Sequence, residues 1–579
     1  MTVRFRPAAL AALVALLLAP LAAPDAQGIR RDTPIRPVTR TLAITDARVV
    51  VAPGRVLDRA TVVVRDGRIE AVGEDVEVPF DAHVIEADTL TVYAGFVDAF
   101  GYAGVPKTDD EERPEGIDPG APPRRFAGIV PDRDVRETYA ADDAAIKGLR
   151  EAGFTVAHVA PREGLFSGQG AVVLLRELGR LEEAPAVVLA GPVSFVARLD
   201  PASGVYPATP MGVLAVMRET VENARRRAAA QEAFDDGASA RPRFDPVLDA
   251  VAPVLDGERL FVFVAESPLD GFRALRASSE MGLDPVLAGV SDVAPLLDRL
   301  RQSGAPVFAP LALPDTVKAD SAALALPLPS TTPGGVSFVT SRRTFSFRDT
   351  DAENTALTGQ RRAAVARVER APALLDSTGV PFAFATLDVK PGDIHANLRR
   401  MVAAGLSPDA ALGALTVAPA RLLGLDREVG TVEEGKLANL VVTTGDLFTS
   451  DSAAVRLVVV DGVEYEVEAG GGPEGADPDA VVQATGTWDY EVSTPGGNQE
   501  GTFTITGAPG SLTGEFSSQG EVQPMTGVTL AGNVLTMSFQ SDDAGTITIT
   551  GTIDDDEFEG SAEVASFGSF PMTATRRPE

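Results

Sequence analysis

At 579 residues, 45% of them hydrophobic, the chain can bury large cores in about two to four domains, and general disorder is excluded. Its 82 acidic against 51 basic residues give a formal net charge of −31, which argues for a solvated acidic surface and against a nucleic-acid partner. With no cysteine, disulfides and thiolate metal sites are excluded, and any metal would need His, Asp or Glu.

Residues 1–28 read as a secretory signal peptide. Arg4 and Arg6 precede a short apolar run over 8–22, interrupted by Pro20, and small residues follow. The mature chain is therefore expected to be exported, to the periplasm, envelope or medium, with no membrane span. Over 41–93 the stretches "TLAITDARVVV" and "ATVVVRDGRIEAVG" read as strands, with Asp66-Gly67 where a tight hairpin turn needs positive φ. The same pattern returns in "LANLVVTTGD" and "VRLVVVDGVEYEV", with Asp461-Gly462 at the turn. One small sheet domain built from both flanks, 41–93 with 425–468, is expected.

Between them, over 94–424, eight apolar segments alternate with helical stretches: "AGFVDAF", "FTVAHVA", "GAVVLL", "PAVVLAG", "RLFVFVAE", "DPVLAGV", "APVFAPLAL" and "VPFAFATLD". Val213, Met217 and Val221 sit at helical spacing in one connecting stretch. Ser407 and Pro408 open another as N-cap and first helical residue. An α/β fold with a (β/α)8 barrel suits this alternation, and a doubly wound open sheet is the other arrangement it allows. Residues 468–483 form a Gly/Pro/acid linker, and 484–579 read as seven short strands of an antiparallel barrel or sandwich. The single tryptophan, Trp488, is expected as a core plug there.

Four segments, in order, carry a family resemblance: "VLDRATVVVRDGRIEAVG" with "VYAGFVDAF", "GFTVAHVAPREGLFSGQGAVVLL", "GVYPATPMGVLAVMRE" and "ALTVAPARLLGLDREVGTVEEGKLANLVVTTGD". Over residues 41–468 the chain resembles the amidohydrolase superfamily, in particular an exported branch similar to imidazolonepropionase. The resemblance implies a TIM-like barrel with a composite β-sandwich domain. It also implies metal-dependent hydrolysis of non-peptide C–N bonds: one or two divalent metals such as Zn activate a water at the barrel mouth, and an aspartate after the last strand moves the proton.

Carried over position by position, the two first-strand histidines fall on Phe100 and Tyr102, the fifth-strand one on Val264 and the sixth-strand one on Gly289. Phe, Val and Gly have no side-chain donor, and Tyr is a poor zinc ligand. Asp388 keeps the residue type of the catalytic aspartate, and Asp98 that of a structural support for the first strand. The three histidines are His83, in the small sheet domain, His158, on the second strand, and His395, after the last. His158, Glu266 and His395 are candidate mouth residues. "SGQG" (167–170) lacks the spacing of a phosphate-binding loop.

The sequence thus points to a metal-less member of the family that binds a small-molecule or peptide-like ligand, with no cofactor expected. Two alternatives stand beside it. One is an active hydrolase of cyclic amides or peptide-like C–N bonds working through a rebuilt site. The other is a binding or attachment protein working through its C-terminal β-domain. Neither the ligand nor the oligomeric state is readable.

Overall fold

In the computed structural model of the chain, the described residues are 41–107, 116–179, 184–200, 203–315, 356–450, 453–467, 480 and 482–577, the last span apart from 495–496, 509–510, 519–520, 542–544 and 565–567. The signal-peptide reading and most of the 468–483 linker lie outside them. The chain divides into two compact units, Met1–Leu440 with Val459–Val463 and Val441–Val458 with Glu464–Glu579.

The N-terminal strands are β1 (Thr41–Ala52), β2 (Arg55–Arg65), β3 (Arg68–Gly73), β4 (Ala82–Glu86) and β5 (Thr91–Ala94). Asp66 and Gly67, at φ 50° and 77°, join β2 to β3 through a turn that needs positive φ at both central positions. Asp461 and Gly462 repeat this at φ 52° and 76°. The two turns abut: a Cβ on Gly67 would lie 2.9 Å from the Asp461 carboxylate, so no larger residue fits there.

The barrel strands follow: β6 (Phe96–Gly101), β7 (Phe154–Val159), β8 (Phe166–Leu174), β9 (Val188–Arg198), β10 (Leu260–Val264), β11 (Pro285–Ala288), β12 (Val307–Pro310) and β13 (Phe382–Ala385). They pair in chain order, each on one of the eight apolar segments; most are buried on both faces as a helix-covered sheet requires, while the first half of β9 is partly exposed. The alternation with helices fails at one place. β8 runs antiparallel to both β7 and β9, while the other neighbours are parallel. Residues 160–165 are too few for the crossover that a parallel neighbour needs, so the chain turns back as a hairpin.

Helices between strands include α1 (Ala144–Glu151), α2 (Pro210–Asp235), α3 (Pro268–Met281), α4 (Ile394–Ala403), α5 (Pro408–Leu415) and α6 (Val417–Leu422). Thr209, Ser267 and Ser407 cap α2, α3 and α5 by accepting from the third N–H of each, with proline opening all three. Val213, Met217 and Val221 are buried on α2 as their spacing predicts. The last helical stretch is two helices, because Thr416, at φ −129° and ψ −77°, leaves the helical region between α5 and α6.

The returning strands β14 (Leu440–Thr443), β15 (Val455–Val460) and β16 (Val463–Glu466) join the N-terminal ones in one eight-stranded sheet of order β16-β15-β14-β5-β1-β2-β3, with β4 beside β1.

Eight antiparallel strands form a closed C-terminal barrel: β17 (Gly486–Thr494), β18 (Gly497–Ala508), β19 (Ser511–Ser518), β20 (Glu521–Ala531), β21 (Val534–Ser541), β22 (Gly545–Asp554), β23 (Glu557–Val564) and β24 (Gly568–Arg576). The sequence shows seven of them. β20 is hidden by Pro524 and Gly527, which flank a register shift. Trp488 is fully buried, stacks on Phe503 at 5.8 Å and donates its indole N–H to the Ala484 carbonyl at 3.1 Å.

Candidate active site at the barrel mouth

The C-terminal ends of parallel barrel strands converge on one face, where barrel enzymes place their chemistry. Around that face stand Tyr102 after β6, Arg162 after β7, Arg198 at the end of β9, Glu266 after β10, Gly289 after β11 and Asp388 after β13.

The seam that closes the ring is held by Asp98. Its carboxylate, fully buried on β6, accepts from the Thr386 backbone N–H at 2.8 Å, the Thr386 hydroxyl at 2.5 Å and the Phe100 N–H at 3.1 Å. Leu387 then donates its N–H to the Phe100 carbonyl at 3.2 Å, so the chain just past β13 bridges to the end of β6. Leu387 adopts φ 47°, an unusual conformation for a branched side chain, and Asp388 is presented from it. Burial pushes the Asp98 carboxyl up to about 6, against the lowering effect of the three hydrogen bonds.

Beneath the mouth the interior is packed with apolar side chains. Phe100, wholly buried, stacks on Phe308 across the barrel with ring centroids 6.3 Å apart, and meets Tyr102 and His158 edge-on at 5.6 and 5.4 Å. Val264 packs into the same cluster with Val196, Val262, Val286 and Ala288. Gly289 adopts φ 93°, where an L side chain is strained, and a Cβ there would lie 3.4 Å from the Ala265 carbonyl oxygen.

His158 lies in this interior with both ring nitrogens engaged. Nδ1 is 2.8 Å from the Ala99 carbonyl, so it carries the proton, and Nε2 accepts from the Ser194 hydroxyl at 2.7 Å. Burial pulls the imidazole down to about 4, so it is neutral near pH 7. No lone pair remains for a metal. His395, on α4, is not brought to the mouth. Its Nε2 lies 3.0 Å from the carbonyl of Ala152, which precedes β7, whereas the mouth lies beyond the strand's other end. Glu266 is exposed at the end of β10, close enough to Tyr102 to act on its ionisation. His83 is exposed on β4.

Two arginines absent from the sequence reading surround Tyr102. The Arg162 guanidinium lies 4.4 Å from the ring centroid and donates to the Asp388 carboxylate at 2.6 Å. Arg198 lies 5.6 Å from the ring, donates to the phenol oxygen and pairs with Asp200 at 3.6 Å. Burial pushes the Tyr102 phenol above its ordinary range, against the opposing pull of Arg198. The signal was available in "VAPRE" and "FVARLD", where a charge directly follows an apolar strand. Among the described residues no three His, Cys, Asp or Glu side chains stand together as a metal-ligand group. The one polar atom at the four carried-over positions, the Tyr102 hydroxyl, faces guanidinium charge that repels a divalent cation. The donors present therefore do not fit such a metal.

The architecture is an eight-stranded mixed barrel flanked by a second sheet. Residues 344–464 match the model of the amidohydrolase family. An amidohydrolase from Thermotoga maritima MSB8 superposes with a TM-score of 0.57 at 20% identity, covering 73% of this chain and all of that one, a likeness of fold. A putative prolidase from Bifidobacterium longum (TM-score 0.42, 18% identity, 74% and 95% covered) and molinate hydrolase (0.41, 15%, 74% and 95%) are too distant to add to it. No curated protein matches the sequence. In the matched segment and in its fold, the chain is similar to amidohydrolases.

Proposed function

We propose that this chain is an exported, metal-free amidohydrolase-fold protein whose barrel mouth binds a small-molecule or peptide-like ligand and does not hydrolyse it. The observation that carries the reading is the filled mouth: at Phe100, Val264 and Gly289 the family's ligand positions hold packing or bare backbone, and Tyr102 is clasped by Arg198. Asp388 keeps its residue type, but its carboxylate is paired with Arg162, and without a metal-bound water it has no nucleophile to deprotonate. The acidic composition and the N-terminal segment support export, and the composite sheet and the barrel over 94–424 are the domains this reading assigns.

The competing reading is hydrolysis of cyclic amides or peptide-like C–N bonds through a rebuilt site. Assays on a panel of dihydropyrimidine-type lactams and Xaa-Pro dipeptides, with Zn²⁺ or Mn²⁺ supplied, decide between them. Turnover at background supports the binding role. Metal-stimulated turnover abolished by Asp388→Asn would overturn it.

A further inference from the structure

We propose that Arg162 and Arg198 form a carboxylate-binding site at the barrel mouth; this names the ligand chemistry of the binding role above and rests on that reading. The two side chains come from different elements, Arg162 from the turn after β7 and Arg198 from the end of β9, and converge on one aromatic ring, Tyr102. Both are largely withdrawn from solvent, with side-chain exposures of 21% and 12%. The Nε–H of each is buried and has no acceptor among the described residues. A buried donor on a charged group left without an acceptor is costly, and an incoming acceptor recovers that cost.

The acceptors now on the arginines are weakly held. Asp388 and Asp200 have side chains 73% and 75% exposed, and such solvated ion pairs contribute little. A ligand carboxylate can therefore replace either one. Guanidinium presents Nε–H and Nη–H as a planar fork that matches a carboxylate with two parallel hydrogen bonds.

Charge decides between planar and tetrahedral anions. The inner shell carries two positive groups, and the rim carries Asp200, Glu266 and Asp388, so a dianion meets more repulsion than a monoanion does. Carboxylate is favoured over phosphate.

Arginine Nε–H resonances of the full chain, dialysed against chelator, would be titrated with acetate, its neutral isostere acetamide, and phosphate at low ionic strength. The Arg162 and Arg198 signals are assigned by their disappearance in Arg162→Gln and Arg198→Gln. Arg276→Gln, at an exposed helical site, is the control. Acetate should shift both signals saturably, acetamide should not, and phosphate should bind at least about ten-fold more weakly. Acetate binding should drop in both mouth variants and persist in the control. The wild-type titration reads both groups directly, so a variant that fails to fold does not spare the proposal. Unmoved Nε–H signals, or phosphate binding as tightly as acetate, would overturn the site while leaving the metal-free reading intact. Stoichiometric metal in the undialysed protein would overturn that reading instead.

Discussion

Replacing Asp98 with alanine removes one carboxylate that three donors share, and the seam between β6 and β13 depends on it. Two of those donors are backbone N–H groups that no water reaches, since Asp98 is wholly buried. At about 1–3 kcal/mol for each stranded donor, Asp98→Ala should destabilise the barrel by roughly 4 kcal/mol. Asp98→Asn retains the two N–H acceptances and isolates the charge. The folded carboxyl sits at about 6 against an ordinary 3.8, so the unfolded chain releases its proton first as pH rises between these values. Wild-type stability therefore falls over that window, by roughly 3 kcal/mol from this group, and the fall is absent in Asp98→Asn. Urea unfolding can be read separately in the two units. Every helix labelled above lies in the first unit and sets the helical circular dichroism, while Trp488 fluorescence follows the C-terminal barrel. A loss below about 1 kcal/mol for Asp98→Ala, or an equal shift of the Trp488 transition, would refute the seam argument.

Phe503→Ala removes the ring stacked on Trp488 and should cost the C-terminal barrel roughly 3–5 kcal/mol, moving the fluorescence transition and not the helical one. Gly289→Ala places a side chain at φ 93° and should destabilise the first unit by about 1–2 kcal/mol in the same helical transition. His158→Gln should remove an acid-side loss. With the folded imidazole near 4 and the unfolded one at 6.5, wild-type stability falls as pH drops through that range, and urea titrations at several pH values should show a flatter dependence in the variant.

Much of the fold could be read from the sequence because its signals are local. Most barrel strands are apolar runs buried on both faces, so composition alone marks them. The paired Asp-Gly turns declare themselves through positive φ. What escaped depended on less local facts. The reversal of β8 was written in the length of residues 160–165 and not in its own apolar residues. β20 carries Pro524 and Gly527 inside a strand, against propensity, and survives because its neighbours on both sides supply the ladder. At the site, Phe100, Tyr102, Val264 and Gly289 were reachable through the family resemblance, since each occupies a strand end. His395 misled because sequence proximity to Asp388 says nothing about the path of residues 389–393. Arg162 and Arg198 were concealed by a chain in which nearly all the basic residues are arginine, so only their position after apolar strands distinguishes them.

The central claim is that the mouth holds guanidinium and apolar groups where a metal would sit. Metal content of the full-length protein, incubated with Zn²⁺ or Mn²⁺ and then dialysed, tests it most directly. Substoichiometric metal, unchanged by Asp388→Asn, is the expected result. One or two equivalents retained, and lost on Asp388→Asn, would contradict it.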